Sequence, residues 1–272
     1  MNSKMEATVV VATNNAHKAR EVRALLNGAA LPEHGRPTPE LGQSAPGRDQ
    51  HAPGPARLIL EVFSLGEAGV RASPEETGAT FEENALIKAR AAFDALYVAA
   101  GALGEPGALG AACASGEPGA TARQAIADAA RDRRLFVLAD DSGLCVDFLG
   151  GAPGVRSARY AGESASDAER VDKLLEALHG EPRAKRGAHF ICSAAVICPD
   201  GGVRMCEGRC GGSIIETPTG QGGFGYDPVF LVDGLGRTMA ELSFDEKNRV
   251  SHRGAAIRAA ASAIACWLQT SG

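Results

Sequence analysis

The sequence predicts an α/β fold, in which strands alternate with helices. Residues 7–12 form a β-branched apolar run of strand length, and residues 16–27 follow with the periodicity of an amphipathic helix. A second amphipathic helix is predicted over residues 167–179. Residues 188–198 and 202–210 are predicted strands around Pro-Asp-Gly-Gly, which is typical of an antiparallel hairpin. These segments together predict a sheet with flanking helices.

Length and composition limit the class of protein. The chain has 272 residues, 44% of them hydrophobic, which suffices for one large domain or two small ones. A net charge of −5 without a long basic run argues against a nucleic acid polymer as partner, although a small anionic ligand needs only a few cations. No apolar stretch reaches membrane-spanning length, and residues 1–7 lack the apolar core of a signal peptide. We therefore expect a cytoplasmic protein without a membrane contact.

Cysteine usage agrees with that expectation. The chain contains seven cysteines, an odd number without a secretion signal, which predicts reduced thiols. Cys206 and Cys210 have a C-x₃-C spacing that zinc can use, but no second ligand pair accompanies them. Buried core thiols are therefore the favoured interpretation.

The turn after the first strand carries anion-binding chemistry. Thr13, Asn14 and Asn15 can cap the helix over residues 16–27, and Lys18 lies in its first turn. A helix N-terminus beside a lysine attracts anions. A surface lysine on an ordinary strand–helix unit would look the same, so this segment leaves both interpretations open.

Paired carboxylates interrupt the next strongly apolar stretch. Residues 135–139 are a predicted strand, residues 140–143 are Asp-Asp-Ser-Gly, and residues 144–149 are a second apolar run. Two carboxylates at a strand end suit a hard cation. Asp-Asp-Ser-Gly is also good turn chemistry, and the segment by itself favours a hairpin turn.

Another carboxylate pair, Glu75 and Glu76, lies in a loop before a helix that Thr80 is expected to cap. Asn84 and Lys88 are four residues apart and therefore share one face of this helix. Residues 31–56 and 97–134 break the pattern, because both are rich in Gly, Pro or Ala, apart from a helical stretch over residues 121–134. We interpret both as insertions.

The last third of the chain contains glycines that mimic a dinucleotide motif. Residues 220–225 match G-x-G-x-x-G, but Thr-Pro-Thr precedes them and residues 227–232 are predicted as a strand, whereas the motif needs a strand before and a helix after. No lysine follows a glycine, so a P-loop is excluded. Residues 213–216 are predicted as a separate short strand.

A terminal helix is predicted over residues 252–268, with Ser243 or Ser251 as a cap. Lys247, His252 and Arg253 cluster near its start, which is typical of a solvated charged surface.

Six ordered segments carry a family resemblance. They read Thr-Asn-Asn-Ala-His-Lys from residue 13, Glu-Glu-Thr-Gly-Ala-Thr-Phe-Glu-Glu-Asn-Ala from 75, Ala-Asp-Asp-Ser-Gly-Leu from 139, Gly-Gly-Ala-Pro-Gly-Val-Arg-Ser-Ala-Arg-Tyr from 150, Gly-Gly-Phe-Gly-Tyr-Asp-Pro from 222 and Glu-Lys-Asn-x-x-Ser-His-Arg from 246. Together they resemble the inosine triphosphate pyrophosphatase, or Ham1-like, family over residues 7–268. Both insertions fall between segments, and Asn14 stands where bacterial members often have Gly.

The resemblance implies a single elongated, two-lobed α/β domain with a long central mixed sheet and flanking helices. It implies a homodimer. It also implies Mg²⁺-dependent cleavage of ITP, dITP and XTP to the monophosphate and pyrophosphate.

The resemblance also assigns roles to particular carboxylates. Asp141 and Glu75 are the expected Mg²⁺ ligands, with Asp140, Glu76 and Glu83 as alternatives for one of them. Asp141 is in addition the expected catalytic residue, which orients or deprotonates the attacking water.

Substrate contacts follow from the same segments. Donors from His252 and Arg253 are expected to meet the purine 6-oxo group, Asp227 to accept from N1–H, and Phe224 or Tyr226 to stack on the base. How guanine is refused does not follow from the sequence. The expected substrate-binding residues are Thr13, Asn14, Asn15, Ala16, His17, Lys18, Lys88, Ser142, Phe224, Gly225, Tyr226, Asp227, Lys247, His252 and Arg253.

Three other functions remain open at this point. One is a nucleotide-sensing module without turnover, which the intact Asp141, Glu75 and Lys18 argue against. Another is a dinucleotide-binding oxidoreductase built on residues 220–225. The third is a Maf-like pyrophosphatase for pyrimidine or modified nucleotides, although Ser-His-Arg and Phe-Gly-Tyr-Asp favour a purine.

We expect the first insertion to be dispensable for chemistry. Replacing residues 35–54 with a short linker should leave kcat for ITP within a few-fold of wild type, because this segment lies outside all six motifs and loop length costs little entropy. A complete loss of turnover, with folding shown intact by circular dichroism, would mean that the loop contributes to the site or to a dimer.

Overall fold

The computed structural model describes residues 4–28, 57–99 and 120–271, and its strands form one six-stranded mixed sheet with the order β2-β1-β3-β4-β5-β6. β1 pairs in parallel with β2 and β3, and the remaining neighbours are antiparallel. The predicted α/β class with a mixed central sheet is therefore confirmed. The strands are Lys4–Val11 (β1), Arg57–Ser64 (β2), Leu135–Val146 (β3), Gly187–Ile197 (β4), Val203–Ile214 (β5) and Phe230–Val232 (β6).

Helices flank the sheet, and several begin at the predicted caps. Asn15 accepts hydrogen bonds from two backbone N–H groups at the start of the first helix, whose bounds match the prediction. Ser166, Ser243 and Ser251 cap later helices in the same manner. The helices are Ala16–Asn27 (α1), Phe81–Ala99 (α2), Ala120–Arg131 (α3), Asp167–Ala177 (α4), Phe244–Val250 (α5) and His252–Thr270 (α6).

Alternation along the strands divides the core between the two faces of the sheet. On β3, Phe136 and Leu138 pack in the cluster that contains α1 and α6, whereas Val137 and Ala139 pack in the cluster with α2 and α3. A third cluster joins Leu144 to α4 and to the β5–β6 end of the sheet. The sheet therefore has helices on both faces near β1, which fixes where the polar residues that follow can point.

The central strand corrects one expectation. Asp140 and Asp141 lie neither at a strand end nor in a turn, because β3 continues through them and pairs with Ala194 and Ser193 of β4. Gly143 serves close packing instead of a turn, since a Cβ there would lie 2.4 Å from the Ser157 Oγ. The predicted hairpin is wrong because the partners that stabilise these carboxylates come from distant parts of the chain.

Two smaller strand predictions also change. Ser213 and Ile214 are the end of β5, so residues 213–216 do not form a separate strand. Asp227–Val229 is a 3-10 helix and only Phe230–Val232 is a strand. Pro228 supports this turn, because its fixed φ suits a helical start and it has no N–H for a sheet.

The bounds of the second predicted insertion, residues 97–134, need revision. Residues 97–99 belong to α2, and α3 packs Ile126 and Ala129 into the core, so both flanks of the predicted insertion are regular structure. The predicted helix over residues 121–134 is confirmed apart from its last turn. Residues 31–56 and 100–119 lie outside the described residues. The single two-lobed domain stays a prediction.

Candidate active site

A cleft of about 520 Å³ lies where the carboxylates of β3, the start of α1 and the start of α6 meet. It brings together most of the residues predicted to form the site. Those lining it are Asn15, His17, Lys18, Glu76, Asp141, Ser142, Gly143, Val155, Ser157, Ala158, Arg159, Asp167, Arg170, Phe190, Gly223, Phe224, Gly225, Tyr226, Asp227, Lys247, His252 and Arg253.

Asp141 faces α2, where two side chains hold it. The Lys88 Nζ donates to Asp141 Oδ1 at 2.8 Å, and the Asn84 Nδ2 donates to Asp141 Oδ2 at 3.3 Å. The prediction that Asn84 and Lys88 share a face is confirmed, because both reach the same carboxylate. Asn84 Oδ1 also accepts from the Gly78 N–H, which ties the loop before α2 to Asp141.

Lys88 connects this carboxylate to a second one. Its Nζ lies 3.2 Å from the Glu76 Oε1. Burial raises the pKa of Asp141 above its usual value and the Lys88 charge offsets this only in part. Burial also acts to lower the pKa of Lys88, but the charge of Asp141 prevails and raises it. Lys88 is therefore a firmly charged ammonium between two carboxylates.

Among the predicted metal ligands, the structure favours Glu76 over Glu75. The Glu75 side chain is exposed and does not line the cleft, so its predicted role as a ligand has no support from the geometry. The geometry does not support Glu83 as a ligand either, because its carboxylate accepts from the Ala79 N–H at 2.6 Å and so caps α2. Glu76 is the alternative that lies within reach of the Asp141 group.

The donor chemistry suits Mg²⁺. Asp141 and Glu76 offer carboxylate oxygens on one side of the cleft, and Mg²⁺ in nucleotide sites uses one or two carboxylates with substrate phosphates. Within the described ranges, no group of three or more His, Cys, Asp or Glu side chains is arranged to hold a metal. A metal held here would therefore need phosphate oxygens to complete its coordination.

Asp140 points to the opposite face of β3 and enters a buried ion network. Its Oδ2 lies 3.2 Å from the Arg253 Nε and 3.5 Å from the Lys18 Nζ. Burial acts to raise the pKa of Asp140, but Lys18, Arg253 and Lys88 prevail and hold it well below its usual range. Asp140 is therefore an ionised carboxylate that faces away from Asp141, and its Oδ1 has no hydrogen-bond partner among the described residues.

Arg253 is the centre of this network. Its Nη1 donates to the Glu21 Oε2 at 2.6 Å and its Nη2 donates to the Ser142 Oγ at 2.8 Å. With the bond to Asp140, each guanidinium nitrogen contacts a protein oxygen. Only 2% of Arg253 is exposed, and three of its five N–H donors are bonded to the protein, so direct donation to a purine 6-oxo group stays a prediction.

Lys247 extends the network to the glycine-rich loop. Its Nζ lies 3.1 Å from the Glu21 Oε1 and 2.7 Å from the Asp227 Oδ2. Asp227 Oδ2 also accepts from the Phe224 N–H at 2.9 Å, which fixes the backbone that carries this ring. The predicted solvated charge cluster is wrong, because Lys247, His252 and Arg253 are all buried and the first and last are ion-paired.

Glu21 is a site residue that the sequence interpretation missed. It is 7% exposed and pairs with both Lys247 and Arg253. A signal was available, since Glu21 and Leu25 are four residues apart and therefore share the buried face of α1.

Of the two predicted stacking residues, Phe224 suits the role. It is half-buried at the cleft, with the Lys247 Nζ 4.5 Å from its ring centroid and the Arg253 Cζ at 5.6 Å. Tyr226 is buried in the third core cluster and donates its hydroxyl to the Ser157 carbonyl at 2.9 Å. The phenol is committed to packing, so Tyr226 supports the wall of the cleft instead.

His252 is a neutral imidazole in the cleft wall. Burial, with Arg253 and Lys247 nearby, lowers the pKa of His252 well below its usual value. Its ring stacks on Phe190 at 4.7 Å, and its Nδ1 has no hydrogen-bond partner among the described residues. A buried ring nitrogen without a partner is suited to a ligand hydrogen bond.

The anion-binding turn over residues 13–18 has only part of its donors free. Asn15 Oδ1 accepts from the His17 and Lys18 N–H groups at 2.9 and 3.1 Å, so the cap occupies two backbone N–H donors at this helix N-terminus. Asn15, His17 and Lys18 line the cleft, whereas Thr13, Asn14 and Ala16 line an adjoining depression. The Lys18 ammonium is therefore the main anion-binding group that this turn contributes.

Comparisons with known proteins identify relatives of this chain. A sequence model described as the Ham1 family matches residues 9–125 and 116–263. The dITP/XTP pyrophosphatase of Streptomyces avermitilis is 45% identical over 184 residues, which cover 68% of this chain and 74% of that protein. The dITP/XTP pyrophosphatase of Geobacillus kaustophilus is 38% identical over 249 residues, which cover 92% and 90%.

Solved structures show the same relationship. A HAM1 protein from Coxiella burnetii matches with a TM-score of 0.63 at 33% identity, covering 95% of this chain and 98% of that one. The Staphylococcus aureus Ham1 protein matches with a TM-score of 0.62 at 30% identity, covering 97% and 100%. On sequence and fold together, the chain belongs to the Ham1 family.

Proposed function

We propose that this protein hydrolyses non-canonical purine nucleoside triphosphates, namely ITP, dITP and XTP, to the monophosphate and pyrophosphate. One observation carries the proposal: a single cleft holds Asp141 with its carboxylate partner Glu76 and also holds Phe224 beside Lys247. The first group suits a metal-bound triphosphate and the second suits a planar base. Relatives named dITP/XTP pyrophosphatase support the choice of substrate.

The charges around the cleft support a requirement for Mg²⁺. When the charged side chains that line the cleft are counted together with those that ion-pair with them within 3.5 Å, carboxylates and cations are equal in number, histidines aside, so this set offers no net positive charge to a polyanionic triphosphate. Asp141 and Glu76 would hold the ion, which when bound shields the phosphate oxygens and polarises the reacting phosphorus. The cations are Lys18, Lys88, Arg159, Arg170, Lys247 and Arg253, and the carboxylates are Glu21, Glu76, Asp140, Asp141, Asp167 and Asp227.

Asp141 is the residue that we propose to orient the attacking water. Its two oxygens are fixed by Lys88 and Asn84, so the carboxylate is presented to the cleft in one orientation. Its raised pKa makes it a better proton acceptor than an exposed carboxylate. Lys88 and Lys18 lie on either face of β3 and supply positive charge for the phosphates.

Base recognition is assigned to the other end of the cleft. Phe224 provides the stacking surface, and the neutral His252 provides a ring nitrogen without a protein partner. Hypoxanthine and xanthine differ from adenine in presenting a 6-oxo acceptor and an N1–H donor, so adenine would leave buried polar groups unpaired. Arg253 holds Glu21, Asp140 and Ser142 in position and acts on the base only indirectly.

A homodimer in the cytoplasm remains part of the proposal, from the family resemblance. Among the described residues, no helix combines the length and apolar character needed to cross a membrane. Sedimentation of the full chain would test the oligomeric state.

A nucleotide panel tests the proposed activity. Purified protein with Mg²⁺ should release pyrophosphate from ITP, dITP and XTP with kcat/KM at least about 100-fold above ATP and GTP, since discrimination rests on buried hydrogen-bonding groups. Omission of Mg²⁺ should abolish turnover. Equal rates on all five nucleotides, or turnover of pyrimidine nucleotides alone, would refute the proposal.

The glycine-rich loop should need its contact with α4. Asp167 Oδ2 accepts from the Gly225 N–H at 2.7 Å, beside the residue that carries the stacking ring. We expect Asp167→Ala to raise KM for ITP about fivefold, because the hydrogen bond to Gly225 that positions Phe224 is lost together with the ion pair to Arg170. Asp167→Asn keeps an acceptor and should stay near wild type. Asp172→Ala, an exposed change on the same helix, is the matched control. Equal KM values for all three variants would rule out this positioning role.

A further inference from the structure

The cations that line the cleft differ in how firmly the protein holds them. The Lys18 Nζ lies 3.5 Å from a carboxylate oxygen of Asp140, and the Lys247 Nζ lies 2.7 Å from one of Asp227. Arg253 and Arg170 are likewise paired, the latter with Asp167. Each of these cations already has a carboxylate partner within 3.5 Å, although the Arg170 Nε has no hydrogen-bond partner among the described residues.

Among the lining cations that the structure describes, Arg159 has the most distant carboxylate partner. Its shortest approach to a carboxylate is 4.0 Å, from its Nε to the Glu163 Oε1, and 84% of the Glu163 side chain is exposed. An ion pair of that length and exposure contributes little. The Arg159 guanidinium is about one-third exposed, so it keeps donors available to a molecule in the cleft.

The backbone beneath Arg159 is rigid. It ends the 3-10 helix Gly154–Arg159, in which the Ser157 Oγ donates to the Gly154 carbonyl at 2.6 Å. The same Oγ accepts from the Leu144 N–H of β3 at 2.9 Å, and the Ser157 carbonyl accepts from the Tyr226 hydroxyl at 2.9 Å. These bonds fix the 3-10 helix to the sheet and to the glycine-rich loop, so the guanidinium starts from a fixed anchor.

We propose that Arg159 binds the triphosphate of the substrate, in the cleft whose proposed function this inference takes as given. A guanidinium presents paired N–H groups that match phosphate oxygens in a bidentate manner. Arg159 has no ion pair of 3.5 Å or less that competes for its guanidinium, whereas each of the other lining cations has one. Base selection depends on matched neutral donors and acceptors, so an uncommitted cation suits phosphate and not the purine.

Kinetics on three variants test this role. Arg159→Ala should raise KM about tenfold or more, with a smaller change in kcat, because a charged hydrogen bond to bound substrate is lost. The factor should be the same for ITP, dITP and XTP, since the triphosphate is common to them. Arg159→Lys should recover part of the loss as a point charge. Arg156→Ala is the control, because Arg156 is exposed on the same 3-10 helix and does not line the cleft.

A binding measurement separates this inference from the proposed activity. Calorimetry with Mg²⁺-pyrophosphate should show a Kd about tenfold weaker for Arg159→Ala than for wild type, and an unchanged Kd for Arg156→Ala. Equal pyrophosphate Kd values for both alanine variants, or a KM effect that depends on the base, would overturn the role of Arg159. Absence of turnover in the wild type with the Kd difference intact would overturn only the proposed activity. Arg159→Lys supplies the comparison if the alanine variant does not fold.

Discussion

Asp141→Asn will reduce turnover of ITP by at least about 1,000-fold, which is within the range that a positioned acid–base group contributes. The substitution keeps the shape of the side chain and an oxygen for Lys88, so the fold should survive. The amide cannot accept a proton from water and is a poor ligand for Mg²⁺. Both proposed roles of Asp141 are therefore lost together.

The measurement is kcat for pyrophosphate release, with thermal unfolding followed by circular dichroism. Asp172→Asn is the matched control, because Asp172 is exposed on α4 and away from the cleft. We expect the melting temperature of Asp141→Asn to stay within a few degrees of wild type. Activity within tenfold of wild type would remove Asp141 from the mechanism.

The second large effect is on stability. Arg253→Ala will lower the free energy of unfolding by about 3–5 kcal/mol, the usual cost of removing one partner from a buried ion pair. It leaves Glu21 and Asp140 buried without the guanidinium that bonds both of them. Arg258→Ala is the control on the same helix, where an exposed guanidinium bonds only backbone carbonyls and its loss should cost well under half as much.

Denaturant unfolding measures the difference in unfolding free energy between the two variants. Steady-state kinetics on the folded fraction of Arg253→Ala give a second result. Because protein oxygens bond all the guanidinium nitrogens of Arg253, its loss should lower kcat/KM for every triphosphate by a similar factor. A loss of kcat/KM confined to ITP and XTP would instead support a direct hydrogen bond from Arg253 to the purine 6-oxo group, as the sequence suggested. Unfolding free energies equal to those of Arg258→Ala would contradict the structural role.

Local patterns predicted the elements of the fold well where the stabilising contacts are local. α1 has its predicted bounds because the Asn15 cap and the apolar face of the helix both lie within twelve residues. The hairpin of β4 and β5 likewise depends on the turn between them. In these cases, residues close together in sequence supply the contacts that determine the element.

The path of β3 could not be predicted in this way. Asp-Asp-Ser-Gly is a good turn sequence, and distant cations such as Lys18, Lys88 and Arg253 are what stabilise its two carboxylates in a central strand. The same reason explains why Lys247 and Arg253 were expected on a solvated surface. Their partners Glu21 and Asp227 are remote in sequence, and no local rule reports that such charges neutralise one another.

The candidate site was predictable as a set of motifs but not as a set of contacts. The motifs correctly brought Lys18, Asp141, Asp227 and Lys247 into one cleft. They could not show that Glu76 lines the cleft while Glu75 is exposed, since adjacent residues in a loop have no fixed alternation. They also did not separate Phe224 from Tyr226, because that depends on the hydroxyl bond to Ser157.

The central claim is that water attacks the α-phosphorus of a purine nucleoside triphosphate in this cleft. A single turnover of ITP with Mg²⁺ in ¹⁸O-water, followed by mass spectrometry of both products, tests it most directly. The proposed reaction predicts one ¹⁸O atom in inosine monophosphate and none in pyrophosphate. Label in pyrophosphate, or inosine diphosphate and phosphate as products, would contradict it.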